Sequence, residues 1–237
     1  AGGTANVAIG NYAGDAITSA DDCVIIGHMA GTALTTGGSN VAIGRTALEA
    51  ETTGTNNTAV GYKAMTTGNG AAANSAFGFE ALRDVTDSHS NNAFGAYAGA
   101  EITTGDYNIC IGNDAGSSGT NITTGSKNIM IGDLSHPAAS DSDNNVVLGY
   151  NVAGINDAFT FGQAASDSSI ANGATSISAP SDIRLKENIQ DETIGLDFIN
   201  DLRPVTFQWK KAKDISDEME LHDPDSDERV MNGKFNH

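Results

Sequence analysis

Asn40-Val41-Ala42-Ile43-Gly44, with Ala47 three residues beyond the glycine, is the phrase that decides the fold, because it returns along two-thirds of the chain at a fixed interval. Equivalent phrases end at Gly10, Gly27, Gly61, Gly78, Gly95 and Gly112, so that seven glycines follow one another at 17 residues. Later phrases end at Gly132, Gly149 and Gly162, after intervals of 20, 17 and 13. Alanine stands three residues past each of the first seven glycines, and Thr-Thr-Gly precedes many phrases, at 35–37, 52–54, 66–68, 103–105 and 123–125. A unit of this length is too short for a helical hairpin or a propeller blade. Two strands of about five residues with two turns fit it, which makes one coil of a β-solenoid.

Side chains alternate along a strand, so Val7 and Ile9 share one face while Ala8 and Gly10 share the other. The branched face is predicted to fill the coil interior. The bare Ala/Gly face is predicted to let a second backbone come close. Asn6, Asn40, Asn57, Asn74, Asn91, Asn108, Asn128 and Asn145 head the phrases, either as a stacked amide ladder or as ordinary turn residues. Ten coils rising ~4.8 Å each give a rod of roughly 45 to 50 Å. One such rod encloses little apolar volume, and closure about a three-fold axis into a homotrimer is the natural way to bury more.

Composition narrows the function. The 237 residues carry a formal charge of −18, which argues against nucleic acid or an anionic membrane as partner. Aromatic residues are 6%, low for a bulky globular core. No apolar run approaches the ~20 residues of a membrane span, and no membrane insertion is expected. Ala1-Gly2-Gly3-Thr4 has neither a basic nor an apolar leader segment, which implies no secretory signal or a true N-terminus upstream. Cys23 and Cys110 have no metal spacing; five repeats apart, about 24 Å at the coil rise, they are beyond disulfide reach and read as reduced packing residues from a reducing cytoplasm. Asp21-Asp22 and Asp141/Asp143 lack the glycine and glutamate of a calcium loop. No metal and no cofactor are expected.

The repeat resembles the head repeat of trimeric autotransporter adhesins, in which such phrases wind a left-handed parallel β-roll, and repeats in phage tail-fibre proteins. The resemblance covers residues 6–162, with a longer coil than the usual adhesin head.

The grammar changes near residue 180. Residues 1–180 hold four Lys/Arg and residues 181–237 hold eight. Ile183 and Leu185 alternate as in a strand. Thr193 caps a short predicted helix carrying Leu196, Ile199 and Leu202, which Pro204 stops. Val205, Phe207 and Trp209 alternate as a strand. Residues 214–228 form an acidic loop, and His222 within it is expected to face solvent.

SDIRLKENI, at 181–189, followed by GLDFINDLRPVTFQWK, at 195–210, resembles the C-terminal intramolecular chaperone of phage tailspikes and tail fibres, the endosialidase-type autopeptidase family. The resemblance is close over 181–211 and extends loosely to Gly233–His237; the family continues further, with a long helical portion. It implies that three chains fold with the domain's help and that the domain then cuts itself off. It makes Ser181 the nucleophile and Lys186 its base, with cleavage at Ser181–Asp182 and with Arg184, Asn188 and His237 as supporting motif positions. Lysine acts as a base only when burial lowers its pKa. Along a strand the two residues lie on opposite faces roughly 16 Å apart, so the dyad requires a sharp turn or a lysine from a neighbouring subunit. Without the family match, a solvated serine and a surface lysine is the simpler reading.

The expected fold is all-β, a parallel β-solenoid of ~17-residue coils packed as a homotrimer, followed by a small α+β chaperone start. Residues 1–162 form the shaft, 163–180 a connector, and 181–237 the first part of the chaperone. The expected function is structural and adhesive: a segment of a virion tail fibre, assembled in the host cytoplasm. Its expected partners are its own copies, other tail or fibre proteins, and a host cell-surface receptor, a glycan or outer-membrane component. A bacterial adhesin head is the second reading; it calls for a coiled-coil stalk where the chain instead runs into the autopeptidase phrase. A polysaccharide depolymerase needs paired carboxylates in a groove, and the regular coils carry no such pair.

Overall fold

Each Asn-headed phrase lies on a strand in the computed structural model, which describes residues 3–164, 167–174, 211–214 and 224–225. The strands are β1 (Val7–Ile9), β2 (Val24–Ile26), β3 (Val41–Ile43), β4 (Thr58–Val60), β5 (Ser75–Phe77), β6 (Asn92–Phe94), β7 (Ile109–Ile111), β8 (Ile129–Ile131), β9 (Val146–Tyr150), β10 (Ala158–Gln163) and β11 (Ser168–Ala171). From β1 to β10 every strand pairs in parallel with the next, in the register of the sequence repeat. Between β3 and β4, for example, Val41 pairs with Thr58, Ala42 with Ala59 and Ile43 with Val60. The result is an all-β parallel solenoid of nine coil steps, about 43 Å long at ~4.8 Å per step. β11 turns back antiparallel onto β10 and covers the last parallel edge. The chain divides into two units, Ala1–Asp182 and Ile183–His237; in the second, the described residues include a 3-10 turn at Ala212–Asp214.

Two expectations are corrected. Among the described residues each coil carries one strand, of three residues in β1 to β8, five in β9 and six in β10, not two of five. The opposite side is a run of turns whose N–H groups still bond to the next coil, as Leu48 N–H does to Ala64 O at 3.0 Å and Leu82 N–H to Ala98 O at 3.0 Å. The faces are also reversed. Ala42, Ala59, Ala76 and Ala93, at the strand centres, are fully buried, whereas the flanking branched residues are half-buried or exposed. The small residue points inward because other columns already fill the narrow lumen.

The core shows this column by column. Leu48, Met65 and Leu82 reach in from the turn side where the strand centre is alanine. At two glycine turn positions the strand centre is larger, a Cβ on Gly31 lying 3.2 Å from Ile25 Cδ1 and one on Gly116 2.8 Å from Cys110 Sγ. At Gly99, where the strand centre is Ala93, the neighbouring coils fill the space with Leu82 Cδ2 at 3.0 Å and Cys110 Sγ at 3.4 Å. Ile17, Leu34, Val85, Ile102 and Ile122 make a third column. Volume is thus shared within and between neighbouring coils, as close packing requires. Glu51 takes the third-column place in its coil and is fully buried. Its Oε1 accepts N–H bonds from Thr52, Thr53, Gly54 and Gly70 at 2.6–3.1 Å, and Gly68 in the next coil leaves room for Oε2.

Thr66-Thr67-Gly68 therefore sits out of register. Asn69 occupies the stacking place there, accepting from the Thr52 hydroxyl at 2.6 Å, while Thr35 and Thr103 bond the equivalent carbonyls of Thr52 and Thr123.

The asparagines form a ladder. Asn74 Oδ1 accepts from Asn91 N–H at 2.9 Å and Asn91 Nδ2 at 3.3 Å, and Asn74 Nδ2 donates to Ser88 O at 2.8 Å. The same pattern joins Asn91 to Asn108, Asn108 to Asn128 and Asn128 to Asn145. Buried groups that lose such partners cost about 1–3 kcal/mol. Asn74→Ala is therefore expected to lower stability by about 3 kcal/mol, read as a lower urea midpoint; an unchanged midpoint would show that the ladder contributes nothing.

Candidate functional site

Ser181, Asp182, Arg184, Lys186, Asn188 and His237 lie outside the described residues, as do the predicted helix, the Val205–Trp209 strand and His222. The described surfaces that carry chemistry are the outward strand face and the corner that follows it.

The outward face arises directly from strand alternation. With the alanine column turned inward, Ile9, Ile26, Ile43, Val60, Phe77, Phe94, Ile111, Ile131 and Leu148 lie in one register line along the sheet. Ile9 is 58% exposed, Phe77 37% and Phe94 43%. The Phe77 and Phe94 rings stack at 4.9 Å with 5° between their planes. Contiguous apolar surface of this kind marks an interaction site.

The chain leaves this face through a glycine, and two residues later adopts a left-handed conformation. Met29, Thr46, Lys63, Glu80, Tyr97 and Asp114 have φ of 53–57°. Each is held by its N–H, which bonds to the preceding coil: Lys63 to Arg45 O, Glu80 to Tyr62 O and Tyr97 to Phe79 O, at 2.8–3.1 Å. Non-glycine residues keep such a conformation only where the surroundings fix it. The corner so formed carries Arg45, Tyr62, Lys63, Phe79 and Tyr97. Tyr62 stacks on Phe79 at 5.2 Å, and Phe79 meets Tyr97 edge-on at 5.1 Å. The Arg45 guanidinium and Lys63 ammonium lie 5.8 and 5.4 Å from the Tyr62 ring centre. Arg83, by contrast, is occupied by Asp84 at 2.6 Å and Glu80 at 3.0 Å, which together raise its pKa, Asp84 most.

A second left-handed corner precedes the first residue of each phrase, at Asp22 (before Cys23) and, before asparagines, at Ser39, Asn56, Ala73, Ser90 and Tyr107, with φ of 57–60°. Acidic residues staple it: Asp21 Oδ1 accepts from Thr4 N–H at 2.5 Å, Asp106 Oδ1 from His89 N–H at 2.7 Å, and Asp143 Oδ1 from Ser126 N–H at 2.6 Å. The Thr4 amide, and then the Thr4 hydroxyl, hold the Asp21 carboxyl below its ordinary range. A depressed carboxyl pKa stabilises the fold above the unfolded value, and the gain is lost as pH falls through the folded one. Thr4 amide protection should therefore fall as pH drops below about 4 and should be pH-independent in Asp21→Asn; hydrogen exchange followed by NMR checks this.

Cys23 and Cys110 are free and buried, as expected of packing residues, and burial pushes the Cys110 thiol up to about 12. Among the described residues no three His, Cys, Asp or Glu converge as a metal group, and no helix is long and apolar enough to cross a membrane.

Residues 181–223 match the family model for the chaperone of endosialidase. No curated protein and no solved structure matches the chain. A parallel β-solenoid together with this segment fits a tail-fibre-type protein with an endosialidase-type chaperone domain. The match covers the Ser181–Ile189 phrase and stops before Gly233–His237. The outward aromatic pairs were missed from sequence; aligning the coils at 17 residues and reading down the position after each glycine brings Arg45, Tyr62 and Phe79 into one column.

Proposed function

We propose that the chain is a homotrimeric segment of a virion tail fibre, assembled in the host cytoplasm, that serves in host attachment beside other tail or fibre proteins. Residues 163–180 connect the shaft to a chaperone segment at 181–237 that assists trimer folding and then cuts itself off. The observation that carries the assembly is the unbroken outward apolar line from Ile9 to Leu148. Burying apolar area contributes roughly 25 cal/mol per Å², and three rods about one axis hide one such face each. The trimer thus closes through the branched face rather than through the bare one. The match at 181–223 supports the chaperone and favours a tail fibre over an adhesin head.

In this reading Ser181 is the nucleophile, Lys186 its base, and the Ser181–Asp182 bond the one cut. A serine hydroxyl reaches its own carbonyl only through a strained lactone. In this reading the Ser181 hydroxyl of a neighbouring chain attacks instead, and Lys186 passes its proton to the departing Asp182 amine. Water then hydrolyses the interchain ester to leave the Ser181 carboxylate, and cleavage is thereby coupled to assembly. Expression of the complete gene with and without Ser181→Ala tests it on denaturing gels and by intact mass. The wild type should yield a shaft ending at Ser181 and the variant an uncut chain; identical uncut products would remove the autopeptidase role.

A further inference from the structure

We propose that the corner built by Arg45, Tyr62, Lys63, Phe79 and Tyr97 is a binding site for an anionic glycan. This rests on the reading of the chain as a host-attachment segment and names the chemistry of its receptor. The three rings sit on successive coils, Tyr62 on Phe79 at 5.2 Å and Phe79 on Tyr97 at 5.1 Å. Phe79 and Tyr97 remain 42% and 36% exposed. Packed on one another along successive coils, the rings leave a continuous exposed apolar flank, against which the C–H faces of pyranose rings can pack.

The charge pattern selects an anion. Residues 1–180 hold four Lys/Arg, and two of them, Arg45 and Lys63, flank the single ring of Tyr62. Neither makes an ion pair among the described residues. Glu80, the neighbouring carboxylate on this corner, is held by Arg83 at 3.0 Å and does not neutralise them. Of the other two cations in residues 1–180, Arg83 is ion-paired and Lys127 lies on a later coil, so within the otherwise acidic shaft this corner is where two cations meet. A peptide strand finds no purchase here, since every interior strand is already paired on both edges.

Isothermal titration of the assembled full-length protein with hexagalacturonate, a heparin-derived hexasaccharide and neutral maltohexaose tests the site. The first probe carries carboxylates and the second sulfates, so the pair distinguishes the two anion sources. At least one anionic probe should bind saturably and maltohexaose should not. Affinity should fall roughly tenfold or more in Arg45→Ala/Lys63→Ala and in Phe79→Ala. Alanine already stands in this column at Ala96, so Phe79→Ala leaves the coil geometry intact; an unchanged circular-dichroism melt checks this. Failure of both anionic probes to bind, or binding that survives both variants, overturns the proposal. Native mass and cleavage are read separately, so a monomeric or uncut product defeats the fibre reading without deciding the titration.

Discussion

Gly78→Ala is expected to abolish the coil stack around the middle of the rod. A Cβ at this position would lie 2.2 Å from Gly95 O and 2.6 Å from Gly95 C, both backbone atoms of the next coil. Its φ of +148° is also one that L side chains rarely adopt. Strain of this kind costs about 1–3 kcal/mol by itself. Relief of the clash forces β5 and β6 apart, so the total loss should be on the order of 4 kcal/mol or more. The same contact recurs at Gly61 against Gly78 O at 2.2 Å, so the penalty belongs to the column and not to one site. Gly173→Ala is the control: its φ is +82°, but nothing lies within 4 Å of the added Cβ, and the cost should be about 1 kcal/mol. Thermal melts followed by circular dichroism compare the two. Equal melting temperatures would mean that the glycine column does not set the coil spacing.

Phe77→Asp/Phe94→Asp should have the second large effect, on assembly rather than on the coil. Both rings project from the solenoid and stack on each other, not on the core. Replacing them leaves the alanine column and the asparagine ladder untouched. In the proposed trimer it places unpaired carboxylates at a buried face, at a cost of roughly 3–5 kcal/mol per chain. Sedimentation velocity should show monomers whose far-ultraviolet spectrum matches the wild type. A variant that remains trimeric would move the interface elsewhere.

Much of the architecture is legible in the residues themselves. Seven glycines at one interval fix a stack of equal coils, and the recurring asparagines take the amide-ladder alternative in preference to ordinary turns. What alternation cannot give is which strand face turns inward. That depends on how much volume the rest of the coil delivers to the lumen, and Leu48, Met65 and Leu82 fill it from a turn that reads like any loop. The left-handed corners were equally hidden. Lys63, Glu80 and Tyr97 have no intrinsic preference for positive φ; hydrogen bonds to the preceding coil impose it, and those exist only once the coils stack. Thr66-Thr67-Gly68 misled for a related reason, since a motif can recur in sequence and still fall three places out of structural register. The candidate dyad rests on the phrase at 181–189 alone, because spacing by itself separates Ser181 from Lys186, and it lies outside the described residues. The aromatic corner was legible only after the coils had been aligned column by column.

In the proposed trimer the branched face is hidden between copies while the corner stays open. Hydroxyl-radical footprinting of the assembled protein tests it most directly, with Phe77 and Phe94 reporting on the face and Phe79 and Tyr97 on the corner. Phe77 and Phe94 should be protected in the wild-type assembly and become reactive in monomers of Ile43→Asp/Ile111→Asp, which keeps both rings and charges the same face, while Phe79 and Tyr97 should react in both. Equal reactivity of all four rings in the wild-type assembly would contradict it.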